Sequence, residues 1–130
     1  MITHRKLRWA PFWWTCAIAL TSYVVLEALL PPRLETNLHV NDKIEHAGAF
    51  WAMTFWFGGL VARHRFVWLT LVMLALGAGI EFAQGAMALG RTEDIKDFFA
   101  DSVGVALAVI PAYLGLDSWL VYLEHRLGIS

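Results

Sequence analysis

Cysteine, charge and a basic excess are all scarce in this chain of 130 residues. The single cysteine, Cys16, excludes an internal disulfide framework and any zinc site built from a cluster of cysteines. Charged residues make up 16% of the chain, against about 25% in soluble domains, which excludes a chain kept disordered by high charge. Lys and Arg number 10 and Asp and Glu 11, so no basic excess neutralises nucleic-acid phosphates, and no nucleic-acid partner is expected.

Apolar residues are abundant instead. They make up 58% of the chain, whose mean hydropathy is +0.55, and the length predicts a single membrane domain over residues 1–130. A hydrocarbon core of about 30 Å needs roughly 20 apolar residues as a helix, the form that satisfies every backbone polar group inside lipid. Four segments fit this requirement: residues 9–30, 44–62, 66–88 and 97–116. The sequence therefore predicts an all-α membrane protein with a bundle of four transmembrane helices.

Lys and Arg residues near the segment ends predict the orientation, because cytoplasmic loops carry an excess of them. Six lie on the side of the N-terminus, namely Arg5, Lys6, Arg8, Arg63, Arg65 and Arg126. Four lie on the other side, namely Arg33, Lys43, Arg91 and Lys96. This bias favours both termini inside the cell (N-in, C-in). The first segment is expected to remain as an anchor, since its apolar stretch exceeds the roughly 7–15 residues of a signal peptide. Residues 117–130 are predicted to form a short interfacial segment or the frayed end of the fourth helix.

Polar side chains gather at one depth of the predicted bundle. The first and third helices run outward and the second and fourth run inward, so their polar ends meet at the outer face. Asp94, Asp97 and Asp101 are spaced by three and four residues and share one helix face. Glu81 lies inside the third segment, where an ionised carboxylate costs at least about 2.5–3.5 kcal/mol, so we expect it to face the bundle and find a partner. The candidate ligand-binding residues are Asp42, Lys43, His46, Glu81, Gln84, Arg91, Asp94, Asp97 and Asp101.

Three spaced motifs contain these residues: Asp42-Lys43-x-x-His46-x-x-x-Phe50, Glu81-x-x-Gln84 and Arg91-x-x-Asp94-x-x-Asp97-x-x-x-Asp101-x-x-Gly104. Their order and spacing over residues 38–108 resemble the VanZ-like family of small multi-pass bacterial membrane proteins. The family is named for a protein associated with glycopeptide (teicoplanin) resistance, and no settled biochemical activity comes with the resemblance. It implies a protein of the bacterial cytoplasmic membrane that acts near the cell envelope. The chain departs from the family at Asp101, where members often carry Asn, and at Ala108, where they often carry Gly.

The sequence favours a binding or accessory protein over an enzyme. In this hypothesis an outward-facing polar pocket holds a lipid head group, a lipid-linked cell-wall precursor or a glycopeptide antibiotic. Lys43, His46 and Arg91 would contact its phosphate or carboxylate. No cofactor is predicted for this function. Besides the bilayer and the ligand, a second copy of the chain is a candidate partner, because four short helices bury little surface.

Three other functions stay open. The first is a metal-dependent intramembrane enzyme acting on a phospholipid or polyprenyl phosphate, with a divalent metal as cofactor and His46 or Glu81 as the proton-transfer group. Its metal ligands would be Asp94, Asp97 and Asp101 together with His46 and Glu81. Carboxylate oxygens suit Mg²⁺ or Mn²⁺, and one histidine tolerates Mn²⁺ or Zn²⁺. The second is an ion or proton pathway, for which the inner half offers few polar residues, Asp117 among them. The third is a structural role, in which the polar residues only hold the helix ends together.

Overall fold

The computed structural model describes residues 7–30, 42–87 and 95–129, and every regular element in these ranges is helical. Four long helices and one short helix follow one another. They are α1 (Ala10–Leu29), α2 (Asp42–Gly58), α3 (Phe66–Met87), α4 (Ile95–Tyr113) and α5 (Trp119–Arg126). Short 3₁₀ turns at Arg63–Arg65 and Leu116–Ser118 precede α3 and α5. Each predicted segment coincides with one long helix, so the all-α class is confirmed.

Two helix ends differ from the predicted segments. α2 ends at Gly58 rather than at residue 62, and Ala62 is extended, with ψ 144°, before the turn into α3. α4 ends at Tyr113 rather than at residue 116, because Gly115 has φ 117°, a conformation that glycine adopts without strain. The chain beyond this glycine is bent by 88° from α4. α5 is therefore a separate helix and not the frayed end of the fourth.

Aromatic contacts show that consecutive helices alternate in direction. Trp14, early in α1, lies 5.7 Å from Phe57, late in α2, measured between ring centroids. Phe66, which opens α3, lies 4.9 Å from Tyr113, which closes α4, by the same measure. Each contact joins the start of one helix to the end of another. The ends of α1 and α3 therefore lie with the starts of α2 and α4.

α2 and α4 form the most extensive helix pair among the described residues and run in the same direction. Lys43 and Asp97, each in the first turn of its helix, form an ion pair. The helices cross at Gly104, where an added Cβ would lie 2.1 Å from the carbonyl oxygen of Ala47. Small residues allow such backbone approach between membrane helices. Gly104 thus brings the first halves of α2 and α4 into direct contact.

The bundle is apolar both inside and outside. Buried residues of the main core, shared by α2, α3 and α4, include Phe50, Met53, Phe66, Met73, Ile80 and Val105. On the outside, Trp68 and Phe82 of α3 are 67% and 75% exposed. An apolar outer surface of this kind is expected where lipid rather than water surrounds a protein. The composition predicted this property, and the structure agrees with it.

Two helical segments among the described residues are long and apolar enough to cross a membrane: Ala10–Leu29 and Arg63–Met87. A third crossing results if Ile95–Tyr113 and Leu116–Arg126, the bent pair, count as one broken span. α2 has 17 residues, or about 26 Å at 1.5 Å per residue, which is slightly short of a full span. The chain thus has the character of a membrane protein with two or three candidate spans.

α5 packs against the start of α1, at the end of the bundle opposite to the Lys43–Asp97 ion pair. The carboxylate of Glu124 accepts hydrogen bonds from the backbone N–H of Arg8 at 2.9 Å and of Trp9 at 2.8 Å. It also accepts one from the indole N–H of Trp13 at 2.7 Å. The N-cap residue of α1, Trp9, makes no capping hydrogen bond with its own side chain. Glu124 therefore accepts hydrogen bonds from backbone N–H groups at the start of α1 that have no partner within the helix. Leu120, fully buried beside it, adds apolar contact to this junction.

Candidate functional site

Five polar side chains meet where α2 and α4 begin and α3 approaches its end. This group, called the polar cluster below, consists of Lys43, His46, Glu81, Asp97 and Asp101. The three acidic residues are buried, with relative exposures of 8%, 6% and 1% in chain order. Three helices contribute to the group, so its geometry depends on the packing of the bundle rather than on one local motif.

The imidazole of His46 lies between two carboxylates of α4. Its Nδ1 is 2.9 Å from Oδ1 of Asp101, a hydrogen-bond distance, and its Nε2 is 3.6 Å from Oδ2 of Asp97. Lys43, one helical turn before His46, pairs with the other oxygen of Asp97. The spacings of three residues on α2 and four on α4 place each pair of side chains on one helix face. The sequence predicted these faces, and the structure shows that they oppose each other.

Glu81 of α3 completes the cluster. His46, Glu81 and Asp101 each offer one ligand atom, and these atoms all lie within 4.8 Å of one another. Asp101 also faces α3 directly, since a Cβ on Gly77 would lie 3.0 Å from its Oδ2. Gly77 therefore leaves room for the Asp101 carboxylate between α3 and α4. The result is a buried set of one imidazole and two carboxylates from three helices.

Gln84 lies one turn after Glu81 and serves mainly to join two helices. Its Nε2 donates a hydrogen bond of 2.7 Å to the carbonyl oxygen of Ala28 in the last turn of α1. This carbonyl is one of the four at a helix end that have no partner within the helix. The side-chain oxygen of Gln84 is buried and accepts no hydrogen bond in the described part of the protein. Gln84 thus ties α1 to α3 beside the polar cluster.

The structure brings together five of the nine candidate residues and places Gln84 next to them. Arg91, Asp94 and the side chain of Asp42 lie outside the described residues, although Asp42 opens α2 as a backbone position. Of the three predicted aspartate ligands, Asp97 is engaged with Lys43, and Asp101 is grouped with His46 and Glu81. The ligand set that the structure assembles, His46, Glu81 and Asp101, therefore draws on three helices and is a subset of the residues that the sequence grouped.

A cleft of about 290 Å³ lies between α1 and α2 and shares His46 with the polar cluster. Glu27 of α1 and Glu45 of α2 line it together with His46. Its remaining lining is largely apolar and includes Phe50 and Ile80, both also part of the core. Sequence reasoning did not identify Glu45 as a site residue, although its position next to His46 near the start of α2 was a usable signal.

A second polar group lies at the opposite end of the bundle and was missed as a structural feature. Arg63 binds the buried carboxylate of Asp117 with two contacts, Nη2 to Oδ1 at 3.0 Å and Nε to Oδ2 at 3.3 Å. This fork-to-fork geometry is the strong form of a guanidinium–carboxylate pair. It joins the turn before α3 to the turn before α5. Asp117 is thus part of the structure that orients α5.

Comparison with models of protein families, with curated proteins and with solved structures gave no match for this chain. Function is therefore inferred from the chemistry of the polar cluster and the cleft beside it.

Proposed function

We propose that the chain is a multi-pass protein of the bacterial cytoplasmic membrane that binds a lipid or lipid-linked ligand at the polar cluster. The cleft beside His46 is the main support for this proposal, because polar side chains and apolar side chains line it together. In the ligand, an apolar chain would lie against Phe50 and Ile80, and a polar head would contact His46 and Lys43. This division fits a phospholipid or a lipid-linked cell-wall precursor.

The composition of the cleft narrows the chemistry of the head group. Glu27 and Glu45 line the cleft and accept hydrogen bonds, so they suit the hydroxyl or amine groups of a head group. Lys43 lies outside this lining, one helical turn before His46, and its ammonium group suits a phosphate or carboxylate. A head group that has a phosphate or carboxylate as well as a hydroxyl or amine matches this arrangement. A volume of about 290 Å³ accommodates part of an acyl chain but not a whole glycopeptide antibiotic, of which only the lipid tail would enter.

The cost of burying the cluster supports a functional role. Glu81, Asp97 and Asp101 are each less than a tenth exposed in a chain whose outer surface is apolar. Ionisable residues inside membranes are expensive to place and mark sites of function by default. Leucine or phenylalanine at these positions would pack the helices without that cost. The cluster thus fits a binding site better than a simple fastening of helix ends.

The proposed topology has all four long helices in the membrane, both termini inside and the polar cluster toward the outer face. Basic residues before α1 and between α2 and α3, including Arg63 and Arg65, favour this orientation. α5 would lie at the inner interface, where its bend of 88° places it across the bundle end. The exposed apolar faces would contact lipid or a second copy of the chain. The VanZ-like resemblance and its link to envelope function belong to this proposal.

A second candidate is the metal-dependent intramembrane enzyme acting on a phospholipid or polyprenyl phosphate. The contact of 2.9 Å between His46 and Asp101 favours it, because a carboxylate that orients an imidazole is a common arrangement for general base catalysis. In this function His46 or Glu81 would transfer the proton. Turnover of a lipid phosphate that stops in His46→Gln would favour the enzyme over the binding protein.

Blocking the cleft tests the binding proposal. Ala49 lines the cleft, and Ala49→Trp would fill it without changing a charge. Ala78 is an exposed alanine of α3, so Ala78→Trp adds the same bulk to the outer surface. Lipid extraction and mass spectrometry of both purified variants should show a ligand retained by wild type and Ala78→Trp, and reduced at least tenfold in Ala49→Trp. Equal lipid content in all three proteins would contradict the proposal.

A further inference from the structure

We propose that His46, Glu81 and Asp101 form a binding site for one divalent transition-metal ion, of the class of Zn²⁺ or Mn²⁺. Their ligand atoms lie within 4.8 Å of one another and come from α2, α3 and α4. A four-coordinate ion with bonds of about 2.0–2.2 Å separates its ligands by about 3.5 Å. The observed separations of at most 4.8 Å exceed that spacing by no more than about 1.3 Å.

The donor set defines the class of metal. One imidazole nitrogen suits Zn²⁺ and the later transition metals, whereas carboxylate oxygens also suit Mn²⁺ and Mg²⁺. A mixed set of one nitrogen and two oxygens therefore favours Zn²⁺ or Mn²⁺ over Mg²⁺. Three protein ligands leave at least one position for water or for an oxygen of a ligand head group.

The surroundings of His46 supply the orientation that a metal-binding histidine needs. Metal-bound imidazoles usually donate their second N–H to a carboxylate, which fixes the tautomer. Here Nδ1 faces Asp101 at 2.9 Å, and Nε2 faces Asp97 at 3.6 Å. The ion would take Nδ1 together with Asp101, and Nε2 would face the carboxylate of Asp97, which lies just beyond hydrogen-bond distance. Lys43 holds Asp97 in place through its ion pair.

Charge points to a cation as well. Among the described residues of the polar cluster, three carboxyl groups lie beside one lysine, and a histidine that binds metal is neutral. A divalent ion would offset carboxylate charge within this poorly solvated region. Asp101 lies against Gly77 of α3, so its carboxylate already points toward the helix that carries Glu81. The position of the Asp101 carboxylate against Gly77 is a separate observation from its contact with His46.

Metal binding is measured on the purified full chain in detergent, with Zn²⁺ alone as the probe. After removal of metal and dialysis against Zn²⁺, elemental analysis should give one equivalent in wild type. Glu81→Gln and Asp101→Asn should weaken binding by at least about 100-fold, because each removes a ligand, whereas outer partners change affinity about 10–100-fold. Asp97→Asn should fall in that smaller range, since Asp97 acts only through His46.

Glu124→Gln is the matched control, because it makes the same acid-to-amide change at a buried carboxylate of the opposite bundle end, outside both the ligand set and the cleft. It should bind Zn²⁺ as wild type does. Co²⁺ gives a second readout, since its visible absorption bands report ligation and should be lost in Glu81→Gln even if that variant keeps its helical content. Absence of Zn²⁺ from wild type, or equal binding by wild type, Glu81→Gln and Asp101→Asn, would overturn the proposal. Ala49→Trp should retain the metal, which separates this result from the test of the lipid cleft.

Discussion

Gly104 sets the distance between α2 and α4 and thereby the geometry of the polar cluster. A Cβ at this position would lie 2.1 Å from the carbonyl oxygen of Ala47, and a backbone atom cannot rotate away as a side chain can. The helices must separate to admit even a methyl group. His46, the residue before Ala47 on α2, and Asp101, about one turn before Gly104 on α4, would separate with them. Gly104, which has no side chain, thus controls the contact between His46 and Asp101.

We expect Gly104→Ala to destabilise the protein by about 1–3 kcal/mol, the usual cost of forcing an extra methyl group into a packed interior. Thermal unfolding in detergent measures this effect. Gly48→Ala is the control on the facing helix, because an added Cβ there has no neighbour within 4 Å. Gly48→Ala should therefore be neutral or slightly stabilising. Equal melting temperatures for the two variants would show that the close crossing does not exist.

Asp101 and Asp117 show how far residue types alone can be interpreted. Asp101 was predicted as a site residue because the helical spacing of the aspartates pointed one face toward the bundle, and it is buried there. Asp117 drew attention only as a polar residue of a proton pathway. The structure instead pairs it with Arg63, a residue 54 positions away in sequence. No local spacing encodes such a pair, because it depends on where the turns before α3 and α5 meet.

At the scale of elements, α5 holds the start of α1 through Glu124. Burial raises the pKa of the Glu124 carboxyl, but hydrogen bonds from the N–H groups of Trp9 and Arg8 and from the indole of Trp13 outweigh it and hold the pKa below its ordinary value. In the proposed topology α5 lies at the interface, outside the membrane-spanning helices. A lowered pKa means that the carboxylate stabilises the fold above its unfolded pKa, and that this stability is lost as the pH falls.

Glu124→Gln should lower stability at neutral pH by about 1–3 kcal/mol, the value of hydrogen bonds to a charged group. The difference from wild type should hold from about pH 7 down to the ordinary glutamate pKa of about 4.3 and shrink as the pH falls further, toward about 2, because wild type then loses its own carboxylate charge. Melting temperatures of both proteins across this range give the measurement. Glu45→Gln, at an exposed acid of α2, should follow the wild-type curve. A constant gap between Glu124→Gln and wild type at every pH would contradict the capping role.

The long helices were predictable from the sequence, and the junctions between them were not. Long apolar runs favour helices whatever their partners, so the four segments coincide with α1 to α4, of which two or three are candidate membrane spans. The alternating direction of successive helices then places Lys43, His46 and Asp97 at one end. The bend of 88° before α5 depends on Gly115 and on contacts with α1, which lie far away in the sequence. The cleft depends on the space left between α1 and α2, and no motif records it.

At the scale of the whole molecule, the two bundle ends carry different chemistry. One end holds the polar cluster and the cleft, and the other holds the Arg63–Asp117 pair and the Glu124 cap. Of the threonines that the pathway would use, Thr15 and Thr70 bond to carbonyl groups of their own helices, and Thr54 is a single buried hydroxyl in α2. The described residues therefore offer little support for a polar path from one end to the other. This asymmetry fits a protein whose ligand site lies at one face of the membrane and whose helices are held together by polar contacts at the other.

Cysteine labelling in cells tests the proposed orientation of the molecule. In a Cys16→Ala background, Glu45→Cys places a thiol beside the cleft, and Ile129→Cys places one after α5. We expect a membrane-impermeant maleimide to label Glu45→Cys in intact cells, and to label Ile129→Cys only after the membrane is permeabilised. The cysteine-free protein is the control for background labelling. The reverse pattern would place the polar cluster inside the cell and contradict the topology.

We propose that the polar cluster and its cleft bind a ligand together. Native mass spectrometry of the intact protein, released gently from detergent, tests it most directly on wild type, Asp101→Asn and Ala49→Trp. We predict that wild type carries an amphiphile and one divalent metal ion, that Asp101→Asn loses the metal, and that Ala49→Trp loses the amphiphile. A wild-type protein that is found only at the mass of the bare chain, after mild release and with metal supplied, would contradict the account.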